Sequence, residues 1–449
     1  MSKDSINLGE GKIRSLLFKL ALPSIVAQLV NLLYNIVDRI FIGRMPNGEI
    51  AMAGVGVAFP VIMIVAAFSA LVGMGGAPLA AIKMGEGDDD GAEQILTNSF
   101  SVLIIISIVL TALILIFKEQ ILWAFGASDA TIEYAVNYLS IYIIGTISVQ
   151  IALGMNPFIN TQGFAKVGMT TVIIGAIINI VLDPIFIFGL NMGVKGAALA
   201  TIIAQTASAL WVVKFLIQKN TKLRIKREYL KPKWNIVKNT ISLGISPFVM
   251  QATEGLVLIS LNNMLMIYGG DLAVGSMTIM SSIMQIIMLP VLGLSQGAQP
   301  IISYNYGAKN IDRVKETFKL LFKVALSFTT VMWLLLMLVP QVFVSIFNND
   351  PQLMEVATWS IKIYFAGTFV FGAQLACQQT FLALGKAKVS LVLACLRKIV
   401  LLIPLIFIIP MFMEDKMFGT LLAQPIADVL AAIVTILAFR MFYKTELTK

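Results

Sequence analysis

Histidine is absent from this chain of 449 residues, cysteine occurs twice, and only 13% of the residues are charged. Without imidazole, any proton coupling has to run through carboxylates or lysine. Cys377 and Cys395 lie in apolar stretches with no metal-ligand spacing, so they read as small apolar fillers rather than a disulfide. There is no Ser/His or Cys/His pair, no phosphate loop, and nothing that repeats like a selectivity filter, so enzyme and channel classes find no support. Residues 1–11 lack the charged, apolar and small-residue order of a cleavable signal, and the first helix is expected to stay and insert.

What is present is apolar: 58% of the residues are hydrophobic, and the charged fraction is far below the roughly 25% of a soluble domain. This is the composition of an integral membrane protein. Stretches 102–117 and 390–409 are nearly free of charge, and about 20 residues of helix cross a hydrocarbon core of about 30 Å. A β-barrel would show short alternating strands instead. Hydropathy and loop signals give an all-α chain of about twelve transmembrane helices. The first six are expected at 14–43, 50–84, 92–117, 132–161, 167–188 and 194–218. The second six are expected at 235–268, 272–304, 314–347, 353–384, 389–412 and 418–443.

Three regions follow: an N-terminal six-helix bundle (1–218), a basic linker (219–234) and a C-terminal six-helix bundle (235–449). The linker carries Lys219, Lys222, Arg224, Lys226, Arg227, Lys231 and Lys233 against one acid, Glu228. The positive-inside rule makes it cytoplasmic, together with both termini; Lys3, Lys12, Arg14, Lys166, Lys309, Arg313, Lys386 and Lys388 fall on that same side. The net charge of +9 therefore reports membrane topology rather than nucleic-acid binding. One inner loop dissents: Glu86, Asp88, Asp89 and Asp90 form an acidic run, which reads as a solvated loop.

The halves repeat each other. Gly76, Pro78 and Gly85 fall onto Ala298, Pro300 and Gly307 at one offset, and Phe125, Gly145, Gly163 and Lys166 fall onto Phe347, Gly367, Gly385 and Lys388 at the same offset. Because each repeat holds an even number of helices, both enter from one side, and the axis relating them should lie along the membrane normal. Two such bundles can rock about a site between them, which is alternating access.

Ionisable residues inside the membrane separate the halves. The C-terminal half has Glu254 and Asp428 but also Arg397 and Lys398, so its acids have basic partners in reach. The N-terminal half has Asp38 and Asp183, and the only neighbouring base in sequence, Arg39, points about 100° away from Asp38 on a helix. Two such carboxylates call for a proton or a cation. Asn179 lies one helical turn before Asp183 and shares its face, Pro184 interrupts the helical hydrogen bonds at once, and Thr201 on the sixth helix adds a hydroxyl. Carboxylate, amide, hydroxyl and carbonyl oxygens suit a hard cation such as Na+, or a proton. The alternative is a protonated aspartate that only fastens helices. Gln28, Gln150, Gln205 and Gln285, with Glu254, are candidates for a wet substrate cavity, although membrane glutamines also bond helix to helix. The 23 methionines suit a pocket that repacks around varied ligands.

The stretch Tyr34-Asn35-Ile36-Val37-Asp38-Arg39-Ile40-Phe41-Ile42-Gly43 and the stretch Asn179-Ile180-Val181-Leu182-Asp183-Pro184-Ile185-Phe186-Ile187-Phe188-Gly189, with a proline early in the first helix, resemble the multidrug and toxin extrusion (MATE) family, nearest its bacterial and archaeal DinF-like branch. The resemblance implies antiport: organic, often cationic amphipathic compounds leave the cell in exchange for Na+ or H+. It implies no cofactor beyond that ion, small organic substrates and the lipid bilayer as partners, no nucleic acid, a monomer, and residence in the plasma membrane. The branch builds its cation site from positions that fall on Asp38, Asn179, Asp183 and Thr201. NorM-like relatives use a glutamate and an aspartate in the C-terminal half; Glu254 matches the first, but Ala373 or Gln374 stands where the aspartate belongs. Flippases of lipid-linked oligosaccharides share the two-bundle plan and are the alternative, although they are expected to line their cavity with bases.

Overall fold

The computed structural model describes residues 6–219, 221–348 and 350–447. Lys3, one of the bases assigned to the inner face, lies outside the described residues. Among the described residues every secondary-structure element is a helix. α1 (Ile13–Gly43), α2 (Gly48–Gly85), α3 (Asp89–Ala124), α4 (Ile132–Ile144), α5 (Thr146–Thr161), α6 (Ala165–Pro184) and α7 (Val194–Leu216) form the first half. α8 (Trp234–Gly307), α9 (Ile311–Leu338), α10 (Pro340–Ser345), α11 (Pro351–Tyr364), α12 (Phe371–Ala383), α13 (Ala387–Cys395), α14 (Ile403–Ile408) and α15 (Lys416–Glu446) form the second.

The 74 residues of α8 would span about 110 Å if straight, far more than one crossing needs. Gly270, at φ 62 and ψ −157, turns the chain back, so α8 supplies two crossings. Only a residue without Cβ takes that conformation at little cost. With α4–α5 and α11–α12 each one bent crossing, twelve crossings result among the described residues. Those two bends, of 60° and 50°, divide each of the crossings expected at 132–161 and 353–384 into two helices. They fall at Gly145 and at Gly367, positions that the repeat offset equates. At Gly145 a Cβ would lie 2.6 Å from the side chain of Ile202, and at Gly367 2.9 Å from the carbonyl oxygen of Pro425, so each bend is held by the close approach of the last helix of its own bundle.

The bundles meet at the face that carries the linker. Gly85 and Gly307, equated by the offset, make reciprocal contacts: a Cβ on Gly85 would lie 1.9 Å from the Tyr304 carbonyl oxygen, and one on Gly307 would lie 2.0 Å from that of Ile82. A self-complementary contact of this kind is what a two-fold axis produces. Above it, Gly75 is closed on by Thr240 and Gly244, and Gly297 by Ala21. Leu16, Leu17, Leu20 and Ala21 of α1 share an apolar core with Val291, Leu294, Ala298 and Ile301 of α8. Between Ser24 and Ile42, in contrast, α1 has no buried residue. The bundles are zipped at the linker face and diverge from it, leaving a cleft that opens at the opposite face.

The linker is not a loose tether. Lys222 pairs with Asp89, Arg224 and Lys226 pair with Glu93, Lys226 also reaches Asp90, and the Tyr229 hydroxyl donates to Asp90 at 2.6 Å. Glu93 beside it holds the Lys226 ammonium above the ordinary lysine range. The acidic run stays exposed, as a solvated loop does, but two of its acids, Asp89 and Asp90, also serve as counter-charges to the linker, while Glu86 and Asp88 pair with Lys83: two segments of opposite sign far apart in sequence are neighbours in space. Asp88 caps α3 by accepting from the Gly91 amide at 2.8 Å. The N-terminal strap is docked too, with Arg313 donating to the carbonyls of Gly11 and Glu10 at 2.8 and 3.1 Å, and Asn305 to that of Leu8 at 2.9 Å.

Candidate cation site in the N-terminal bundle

α1, α6 and α7 pack side by side and bring all four sequence-selected residues together. The Asn179 amide donates to Asp183 Oδ1 at 3.2 Å and to Thr201 Oγ1 at 3.4 Å, while the Thr201 hydroxyl donates to the Ala197 carbonyl at 3.0 Å. Asn179 and Asp183 are 1% and 0% exposed. Pro184 ends α6 and a π-helical turn, Ile185–Gly189, continues the crossing, a widening often found where a helix serves function. From α1, the Asp38 carboxyl stands beside the Asp183 carboxyl. Arg39 is turned away, its guanidinium 5.1 Å from the Phe59 ring centroid.

Three buried oxygens in this group lack a partner: Asp38 Oδ1, Asn179 Oδ1 and Asp183 Oδ2. All three are acceptors, and a set of buried acceptors without donors is completed by a cation or by a proton. Two tyrosines not selected from sequence complete the surroundings. Tyr34, one turn before Asp38, lies beside Gln205, and Tyr138 lies beside Thr201. Below them lies a cavity of about 50 Å³, lined by Asn31, Tyr34, Asn156, Asn179, Thr201 and Gln205 among others. The signal for Asn31 and Tyr34 was available: with Asp38 they repeat at helical spacing along one face of α1.

The glutamines separate by environment. Gln205 lines that small cavity. Gln28 donates to Gln296 across the two bundles at 3.3 Å. Gln285 is exposed and precedes Gln296 by three helical turns, which puts it on the α8 face turned to the other bundle, in the cleft. Gln150 is a correction. It is fully buried, donates to the Val65 carbonyl at 2.7 Å and accepts from Ser69 at 3.0 Å, so it fastens α5 to α2.

In the C-terminal bundle the acids are paired. Arg397 donates to Asp428 Oδ1 from Nε and Nη2, both at 2.8 Å, and Gln424 donates to the other Asp428 oxygen at 3.0 Å. Lys398 pairs with Glu254 and donates to the Met250 carbonyl at 2.6 Å. Both bases sit on a π-helical turn, Leu396–Leu402. Ala373 and Gln374 are buried, and both polar atoms of Gln374 lack partners.

The family model MatE matches residues 23–185 and 248–408, one segment in each half. Among curated proteins, the multidrug export protein MepA of Staphylococcus haemolyticus (strain JCSC1435) is 27% identical over 411 residues, 91% of this chain and 89% of that protein. MepA of Staphylococcus aureus (strain N315) is 26% identical over 391 residues, 86% of this chain and 85% of that protein. Among solved structures, one described as an outward-facing conformation of a multidrug resistance MATE family transporter aligns with a TM-score of 0.91 at 23% identity, over 100% of this chain and 99% of that one. At that identity the last likeness is one of fold.

Proposed function

The chain belongs to the MatE family, and from that premise we propose that it exports organic, cationic amphipathic compounds by alternating access, driven by Na+ or H+ entering at Asp38, Asn179, Asp183 and Thr201. The observation that carries this reading is the trio of unpartnered buried oxygens, two of which belong to adjoining carboxyl groups. Two adjoining carboxylates repel unless a cation or proton stands between them. Its arrival removes the repulsion, draws α1 toward α6 and reshapes the α1 wall of the cleft. Coupling then follows from a difference in substrate affinity between the loaded and unloaded forms. The export of many drugs by the MepA relatives, as their name states, supports the substrate class.

The basic linker, the strap and Lys386, which pairs with Glu446 near the C-terminus, all lie at the closed face. By the charge rule that face is cytoplasmic and the cleft opens outward, with the plasma membrane as the site of action. A single chain holds both bundles and every group named, so the monomer is the working unit. The flippase alternative needs free bases for a diphosphate, whereas Arg397 and Lys398 are each engaged by a carboxylate. Dye efflux from vesicles, with sodium and pH gradients imposed separately, tests the reading: one gradient should drive efflux, and Asp183→Asn should abolish that dependence. Efflux with unchanged ion dependence in that variant would overturn the site.

A further inference from the structure

The Glu254–Lys398 pair is unlike the other ion pair of its bundle. Arg397 and Asp428 are both buried, with side chains 9% and 1% exposed, whereas 59% of the Glu254 side chain is exposed against 6% for Lys398. Lys398, Arg397 and Tyr364 are grouped on the other side of Glu254. The exposed edge of Glu254 is the side from which a substrate can reach it. Its ammonium partner approaches from the protein side. Lys398 keeps a second anchor, the Met250 carbonyl at 2.6 Å, and Arg397 is already held by Asp428 and cannot take its place.

Resting on the export reading above, we propose that Lys398 is a tethered counter-cation that a positively charged substrate displaces from Glu254 on entering the cleft. The exchange replaces one cation by another at the same carboxylate, so Glu254 is never left uncompensated. The displaced ammonium retains its bond to Met250, which limits the cost of moving it. A neutral compound of the same shape gains nothing from the exchange and leaves the pair closed. Lys398 then acts as a built-in competitor that sets a threshold for cation binding, and the substrate site of the C-terminal bundle is selective for charge.

Binding of tetraphenylphosphonium and of neutral triphenylphosphine oxide to the purified full chain tests this directly. Lys398→Met removes the competitor and should tighten tetraphenylphosphonium binding by about tenfold, with the neutral compound changed less than about twofold, since the gain is electrostatic. Lys398→Arg should remain close to the parent chain. Glu254→Gln should weaken cation binding by about tenfold and leave the neutral compound alone. A purely structural pair predicts the opposite sign for Lys398→Met. Weakened or unchanged cation binding in that variant, or equal losses for both compounds in Glu254→Gln, would overturn the proposal. Should Glu254→Gln fail to fold with its lysine stranded, the double variant Glu254→Gln/Lys398→Met replaces it, and it should bind the cation at least about tenfold more weakly than Lys398→Met does, with the neutral compound unchanged. If the parent chain neither binds nor exports tetraphenylphosphonium, the export reading fails instead.

Discussion

In the N-terminal bundle, Asp38 and Asp183 meet with Asn179 and Thr201 between α1, α6 and α7, and three oxygens there have no partner. In the C-terminal bundle, Asp428 lies 2.8 Å from Arg397 and Glu254 pairs with Lys398, so each acid is met by its own base. The two halves share one fold and one repeat, yet they answer the cost of a charge in the membrane differently. One leaves its carboxylates without a protein cation; the other supplies the cation covalently. On the antiport proposed above, such a repeat lets one bundle take the coupling ion while the other receives the substrate, and stored charge differs although the architecture does not.

The largest effect should come from removing one member of the open pair. Asp183→Asn is expected to lower ion-driven efflux by about a hundredfold, near the upper end of measured coupling, while the midpoint of thermal unfolding in detergent stays the same or rises, because a like-charge repulsion is gone. The same kind of change in the closed pair should do the reverse. Asp428→Ala strands the buried Arg397 guanidinium and should cost about 3–5 kcal/mol of stability, read by thermal or denaturant unfolding. Equal stability losses in the two variants would break the comparison.

A smaller effect is expected where the bundles touch. Gly85→Leu forces a side chain against the Tyr304 carbonyl and should shift the protein toward opening at the linker face. Labelling of a cysteine introduced at that face should then rise by about tenfold, equivalent to about 1.4 kcal/mol in the opening equilibrium. The smallest effect belongs to the linker. Lys222 pairs with the exposed Asp89, and Arg224 reaches the buried Glu93 only at 3.7 Å, where Lys226 still pairs with it; exposed or long pairs contribute little. Lys222→Gln with Arg224→Gln should change efflux by less than about twofold, while proteolysis of the linker becomes faster. A large loss of transport there would make the linker part of the rocking element rather than its tether.

Much of the candidate site was legible because it rests on scarcity. Few carboxylates lie in the apolar runs, and the absence of histidine with a single outward-turned Arg39 left Asp38 and Asp183 without a counter-charge before any geometry was known. The oxygens of Asn179 and Thr201 followed from spacing on α6 and position on α7. Tyr34 and Tyr138 were not singled out, since tyrosine in a membrane helix has many ordinary uses and only the crossing of α1, α4 and α7 turns these two inward. Gln150 illustrates the converse. Its composition suits a cavity wall, but α5 lies against α2 and closes the amide onto Ser69 and Val65.

The sequence by itself determined the membrane class, the twelve crossings, the internal repeat and the imbalance of charge between the halves. Those properties are local or additive, since hydropathy, helical spacing and residue counts do not depend on which helices meet. Only the tertiary structure decided the bends at Gly145 and Gly367, the pairing of each C-terminal acid with its base, the docking of the basic linker on the acidic run, and the closure of one face. Each of these joins segments far apart in the chain, where a contact is fixed by how packed helices cross and by which polar groups remain to be satisfied once they have.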